Sequence, residues 1–126
     1  MYAINTVSGS VFGGNTSITT FNELQYFKPT AFNQMGLLRG CSSLTEVTLP
    51  SGTPYIGQDM FYQCSNLVTI NNTESVTRIQ GLCSCSKLVS INTPNLTSVG
   101  NYGCSGCTLL STIDTSNVTS IGNAGF

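Results

Sequence analysis

The cysteines are the residues of this sequence whose type and spacing come closest to a chemical site. Cys83 and Cys85 form one close pair and Cys104 and Cys107 form another, with 18 residues between the two pairs. Four thiolates at such positions can hold a tetrahedral zinc ion. The surrounding pattern decides whether these cysteines bind metal, form disulfides or are simply buried.

The composition offers little for nucleophilic or acid–base catalysis. The chain of 126 residues contains no histidine, so it has neither a Cys–His pair nor a Ser–His–Asp triad. No acidic cluster offers the converging oxygen ligands of a calcium site. The carboxylates are Glu23, Glu46, Asp59, Glu74 and Asp114. We therefore predict no catalytic residue, no metal, no cofactor and no enzymatic activity.

A repeat accounts for four of the cysteines. The pattern Cys-x-x-Leu-x-x-[Val/Ile] recurs at spacings of 23, 21 and 22 residues. Its copies start at Cys41, Cys64, Cys85 and Cys107. A second apolar position keeps a similar rhythm, at Ile56, Ile79, Val99 and Ile121. This period is typical of a leucine-rich-repeat solenoid, in which each turn buries its apolar residues against the next. The four cysteines then form one core ladder of small buried side chains.

Four segments carry a more specific resemblance: "CSSLTEVTLP", "YIGQDMFYQC", "NLTSVGNYGC" and "NVTSIGNAGF". They resemble the BspA-like leucine-rich repeats of bacterial surface proteins, also found in some phage and protist proteins. The resemblance covers about residues 38 to 126. It departs from the family pattern where Leu82 and Cys104 replace an aromatic residue. The resemblance implies a right-handed, curved solenoid with a role in surface adhesion or recognition, and no catalytic residues.

The two remaining cysteines allow a disulfide. Equivalent residues of neighbouring turns lie about 4.8 Å apart in a parallel ladder, and a disulfide needs Cα atoms within about 7 Å. Cys83 and Cys104 are the possible pair. The alternative is that both are further buried thiols.

The outward positions of the main strand ladder are the candidate binding surface. Side chains alternate along a strand, so residues flanking Val47 and its equivalents face outward. One row is Glu46, Thr69, Ser90 and Thr112. The other is Thr48, Asn71, Asn92 and Asp114. These short, mostly uncharged groups suit a glycan or a polar protein surface, although they would equally serve a solvated sheet.

The chain is predicted to have two parts. Residues 1–40 comprise a strand or loop lead-in, a capping helix over "TFNELQYF" and a degenerate first repeat anchored by Phe32 and Leu38. In the helix, Thr20 as N-cap and Glu23 at N3 form a capping box, and Pro29 stops the helix. Residues 41–126 hold the repeats proper, with units 41–63, 64–84, 85–106 and 107–126. The fold class is thus a solenoid of four to five repeats, with one short parallel ladder and an irregular or short-strand convex side.

Charge and hydropathy limit the partners. The formal net charge is −1 with only four basic residues, which argues against nucleic acid. No apolar run approaches a membrane span, and the first 25 residues lack the basic start of a signal peptide. We predict a non-enzymatic recognition or adhesion module, extracellular or on the cell surface, that binds a protein or glycan surface. The alternative is a structural subunit of a virion, tail fibre or extracellular filament that self-assembles through its C-terminal end.

Overall fold

The computed structural model describes residues 12–28 and 36–126 of the chain. Within these ranges, regular structure consists of short strands and one 3-10 helix, in a coil of successive turns. In chain order the elements are β1 (Thr20–Phe21), the 3-10 helix (Asn22–Tyr26), β2 (Glu46–Thr48), β3 (Tyr55–Ile56), β4 (Thr69–Asn71), β5 (Arg78–Ile79), β6 (Ser90–Ile91), β7 (Ser98–Val99), β8 (Thr112–Ile113) and β9 (Ser120–Ile121). The predicted leucine-rich-repeat solenoid is confirmed.

Every strand pair is parallel, as a coil that advances one strand per turn requires. The first ladder runs β1-β2-β4, and β6 lies beside β4 and pairs with β8. The second ladder runs β3-β5-β7-β9 and forms the short-strand side. The repeat motifs set the register, because Val47 pairs with Ile70 and Ile79 with Val99. Equivalent residues of successive repeats are therefore stacked neighbours.

A third wall, formed by the turns after the second ladder, closes the coil. Here the backbone N–H of Phe61 donates to Gly81 O at 2.8 Å, and that of Leu82 donates to Gly103 O at 2.8 Å. The N–H of Cys104 continues the series to Gly125 O at 2.7 Å. Adjacent turns are thus hydrogen-bonded on all three sides, which satisfies backbone groups that the core would otherwise leave unpaired.

The core occupies the centre of the coil. Val47 is fully buried between Glu46 and Thr48, which are only partly covered. The leucine that follows each of the first three motif cysteines is also fully buried; these are Leu44, Leu67 and Leu88. Burying such a side chain stabilises the fold by about 1.5–3 kcal/mol. No single turn could enclose these side chains, so stability comes from the stack.

The predicted N-terminal α-helix and its capping box are wrong. Thr20 and Phe21 form strand β1, which pairs with Glu46 and Val47 of β2. Only a five-residue 3-10 helix follows, and no side chain caps it. The reason is that Thr20 and Phe21 extend the parallel ladder, whose hydrogen bonds to the next turn outweigh a short local helix.

The apolar residues of that segment are nevertheless buried together, as predicted. Leu24 is fully buried, and Phe21 and Phe27 pack against the core. The two phenylalanine rings meet edge to face, with centroids 6.2 Å apart. Leu24 and these rings therefore extend the core at the N-terminal end of the described solenoid without an α-helix.

Some sequence predictions fall outside the described residues. These are the Phe32 anchor, the Pro29 helix stop and most of the lead-in at residues 1–11. Leu38, the other anchor of the first repeat, is fully buried. The repeat boundaries remain a prediction. In the described ranges, no helix has both the length and the apolar character needed to cross a membrane.

Candidate binding face of the strand ladder

The outward face of the first ladder carries the eight polar residues predicted as a binding surface. The register places six of them side by side in pairs: Glu46 with Thr69, Thr48 with Asn71, and Ser90 with Thr112. The remaining two, Asn92 and Asp114, directly follow β6 and β8. We call these eight residues the outward face. Parallel pairing spaces neighbouring side chains along it by about 4.8 Å.

At the β2-β4 end, the polar groups of the outward face bind one another. The amide nitrogen of Asn71 donates to Glu46 Oε1 at 3.1 Å and to Thr48 Oγ1 at 3.2 Å. The Thr48 hydroxyl in turn donates to Asn22 Oδ1 at 2.7 Å. This network fixes the side-chain geometry at this end of the face.

At the β6-β8 end, the outward face is open to solvent. Ser90, Asn92, Thr112 and Asp114 are all exposed. Within the described residues, the Ser90, Asn92 and Thr112 side chains have no hydrogen-bond partner. Their donors and acceptors can therefore bind a partner without first breaking an internal bond.

Asp114 supplies the one carboxylate at this open end of the face. Its Oδ1 accepts hydrogen bonds from the Ser116 hydroxyl at 2.6 Å and from the Ser116 backbone N–H at 2.9 Å. These bonds to Ser116 lower the pKa of Asp114 below its ordinary value. The carboxylate is therefore ionised at neutral pH and held in one orientation.

The acids of the face do not form a catalytic pair. Glu46 lies on β2 and Asp114 follows β8, so the strands β4 and β6 separate them. Among the described residues, no group of three or more thiol or carboxylate side chains is placed to hold a metal ion. The chemistry of the face is hydrogen bonding.

Two valines at the edge of the outward face were missed by sequence reasoning. Val68 and Val89 precede β4 and β6, and their exposed fractions are 47% and 46%. In the first and fourth repeats the same position holds Thr45 and Ser111. The sequence signal that could have identified them is a β-branched residue at the same position of two adjacent repeats, outside the core pattern. The valines give the polar face an apolar border.

The four motif cysteines form a ladder of buried donors. Each thiol donates to a backbone carbonyl of the preceding turn: Cys41 to Phe12 O at 3.2 Å, Cys64 to Leu38 O at 3.1 Å, Cys85 to Phe61 O at 3.2 Å and Cys107 to Leu82 O at 2.9 Å. The first three are fully buried and Cys107 is partly buried. Burial raises the pKa of Cys41, raises that of Cys64 to about 12, and raises that of Cys85 further. Such thiols are poor nucleophiles.

The structure brings Cys104 to Cys107 rather than to Cys83. All three are free thiols. Cys104 is buried in the core at 2% exposure, and the Cys107 backbone N–H donates to Cys104 O at 3.2 Å. The proximity of the two thiols raises the pKa of Cys104 and lowers that of Cys107. Cys83 is one position past the inward residue Leu82 and lies at the surface, beside Ser84. Cys83 is partly exposed whereas Cys104 is buried, so the two side chains lie in different environments.

Comparisons with known proteins agree with this geometry. The model of the BspA type leucine rich repeat region matches residues 6–126 in six copies. A leucine rich cell surface protein from Faecalibacterium prausnitzii A2-165 superposes with a TM-score of 0.79 at 28% identity, over 99% of this chain and 35% of that one. A leucine-rich repeat protein from Bacteroides ovatus ATCC 8483 superposes with a TM-score of 0.73 at 26% identity, over 94% of this chain and 33% of that one.

The chain thus spans about a third of the length of these two solved proteins. No functionally curated protein is significantly similar to it. The family model covers nearly the whole sequence. The chain belongs to the BspA-type leucine-rich-repeat family.

Proposed function

We propose that the chain is a non-enzymatic recognition module, displayed outside the cell, that binds a protein or glycan surface through its outward face. The observation that carries this proposal is the in-register stacking of polar side chains along one parallel ladder. Family membership supports a binding role, and the similarity to a leucine rich cell surface protein supports a surface location.

The two ends of the outward face would contribute differently. Asn71, Thr48 and Glu46 are already bonded to one another, so they supply a rigid polar surface. Ser90 and Thr112 are exposed and lie side by side, so they can donate to and accept from a partner. A preorganised surface loses little side-chain entropy on binding. Individual contacts would be weak, and repeated copies would add avidity.

A matched pair of variants tests the face. Ser90 begins β6 on the outward face, and Ser75 lies in the turn between β4 and β5; both are exposed serines. The wild-type chain would be screened against immobilised extracellular-matrix proteins and glycans by surface plasmon resonance. For the ligands that it binds, Ser90→Lys should weaken binding at least about tenfold, whereas Ser75→Lys should retain it. Equal loss in both variants, or in neither, would contradict the proposal.

A second candidate function is assembly through the C-terminal end. Ile121 and Phe126 are 56% and 52% exposed, whereas Val99 and Cys104, their counterparts one turn earlier, are buried. This surface would accept a turn of the same kind from a second copy of the chain. Sedimentation velocity at micromolar concentration distinguishes the candidates for this chain: rods or filaments favour assembly, and a monomer of 13.3 kDa excludes it.

A further inference from the structure

The third wall of the solenoid contains a notch that arises from an irregular repeat length. The distance from the second-ladder residue to the next motif cysteine is eight residues for Ile56, six for Ile79 and eight again for Val99. The middle turn is therefore two residues shorter than its neighbours on this wall.

The neighbouring turns show what the short turn lacks. Gly57 O accepts from Met60 N at 3.1 Å, and Gly100 O accepts from Gly103 N at 3.0 Å, so each closes a tight turn. The third residue of each turn, Asp59 or Tyr102, has a positive φ of 56°. Between these turns the chain runs directly from Ile79 through Gln80 and Gly81 to Leu82. Two protruding turns thus flank a gap one repeat wide.

The walls and floor of the notch are polar and aromatic. Gln58, Asp59 and Tyr62 form one wall, Asn101 and Tyr102 form the other, and Gln80 and Cys83 of the short turn lie between them. At Gln80 and Asn101 the notch opens into a shallow groove over the outer residues of the second ladder. A ligand longer than a single ring can therefore be accommodated.

The charges in the notch are already paired. The Arg39 guanidinium lies 3.5 Å from Asp59 Oδ2 and stacks over the Tyr62 ring, 4.7 Å from its centroid. Of the residues that the structure describes, no other charged one lines the notch itself, and Arg78 lies in the adjoining groove. The Arg39 guanidinium also covers one face of the Tyr62 ring and holds that ring against the wall.

The remaining groups are available for a ligand. Tyr102 is 57% exposed, and its ring makes no ring contact or hydrogen bond within the described part of the chain. Asn101 Oδ1 accepts from Asn123 N at 2.8 Å, which directs its free amide protons away from that bond. The side-chain amides of Gln58 and Gln80 have no partner among the described residues. The notch therefore combines one open aromatic face with three amides.

We infer that the notch binds a neutral oligosaccharide, with a sugar ring stacked on Tyr102 and its hydroxyls bound by the amides of Gln58, Gln80 and Asn101. A pyranose presents an apolar face of C–H groups and a rim of hydroxyls that both donate and accept hydrogen bonds. An aromatic ring with a few fixed amides matches both features. This site lies on the third wall, away from the outward face of the first ladder, and goes beyond the function proposed for that face.

Titration with neutral hexasaccharides tests the notch. Gluco-, manno-, xylo- and galacto-configured hexasaccharides would be titrated into the full chain, followed by NMR saturation transfer and calorimetry. At least one should bind the wild type with Kd below about 1 mM. Tyr102→Ala should weaken that binding about tenfold or more, and Tyr102→Phe, which keeps the ring, should retain it.

Three further variants keep the test decisive. Tyr26→Ala removes an exposed tyrosine outside the notch, 47% exposed, and should bind as the wild type does. Gln58→Ala alters the opposite wall and should weaken binding even if Tyr102→Ala proves unstable. Ser75→Lys changes an exposed serine outside both the notch and the outward face and should leave hexasaccharide binding unchanged, so a loss confined to Tyr102→Ala and Gln58→Ala locates the sugar in the notch. The inference would be overturned if none of the four sugars bound the wild type. It would also be overturned if Tyr102→Ala and Gln58→Ala, both as stable as the wild type, bound the sugar with wild-type affinity.

Discussion

The thiol of Cys85 donates a hydrogen bond to the carbonyl oxygen of Phe61, one turn earlier and 3.2 Å away. The thiol of Cys64 makes the same bond to Leu38 O at 3.1 Å. At this position a side chain must be small, apolar and able to donate, because it fills the core beside a backbone carbonyl. Alanine and valine lack the donor, and cysteine meets all three requirements.

Replacing Cys85 by alanine should therefore destabilise the fold by about 1–2 kcal/mol, through lost sulfur volume and a lost hydrogen bond. Urea unfolding followed by circular dichroism measures the change. Cys83→Ala is the matched control, because Cys83 lies at the surface and should change the free energy of unfolding by no more than about 0.5 kcal/mol. Equal destabilisation in the two variants would contradict the role given to the ladder.

The buried thiols should also make stability fall at alkaline pH. Burial raises the pKa of Cys64 from its ordinary 9.0 to about 12. Above pH 9 the unfolded thiol loses its proton while the folded one keeps it, so the native state binds more protons and its stability falls as pH rises toward 12. Below pH 9 the thiol contributes no pH dependence.

Cys64→Val isolates this effect, because it removes the titrating group and keeps an apolar side chain. The free energy of unfolding of both proteins would be measured by urea titration at pH 7.5, 9.0 and 10.5. The decline above pH 9 should be shallower for the variant, by up to about 1.4 kcal/mol per pH unit. If the free energy of unfolding fell equally with pH in the wild type and in Cys64→Val, the Cys64 thiol would have the same pKa in the folded and unfolded states, which would contradict the prediction.

The repeat pattern in the sequence predicted most of the fold. The Cys-x-x-Leu-x-x-[Val/Ile] spacing predicted the buried ladder and the outward rows, because a stacked core needs the same apolar positions in each turn. The pattern could not predict the N-terminal segment. There Thr20 and Glu23 satisfy the rules for a capping box, but pairing of Thr20 and Phe21 with β2 outweighed them.

The sites were harder to predict because they depend on the direction of individual side chains and on an irregular repeat length. Cys83 and Cys104 are close to equivalent positions in sequence, yet one faces outward and the other inward. Cys83 lies in a turn one position past the buried Leu82, so its side chain is partly exposed. The notch arises where the repeat loses two residues after Ile79, a signal visible in the spacing but interpretable only once the adjacent turns were in place.

Asn71 and Asn92 occupy equivalent positions on the outward face and should respond differently to alanine. Asn71 donates to both Glu46 and Thr48 and is partly buried, whereas the exposed Asn92 amide bonds to neither neighbour. Asn71→Ala should cost about 0.5–1.5 kcal/mol and Asn92→Ala close to nothing. Thermal unfolding of the pair measures the difference. A stability loss in Asn92→Ala as large as in Asn71→Ala would refute the network.

Gly81, on the short turn beneath the notch, should not tolerate a side chain. A Cβ atom there would lie 2.2 Å from Gly57 O and 2.9 Å from Met60 N. Both are backbone atoms, so relief requires moving adjacent turns apart and weakening the bonds from Gln80 N to Ile56 O and from Phe61 N to Gly81 O. Gly81→Ala should destabilise the fold by about 2–3 kcal/mol. Urea unfolding measures this cost. An unchanged free energy of unfolding would contradict the close packing of Gly81 against Gly57 and Met60.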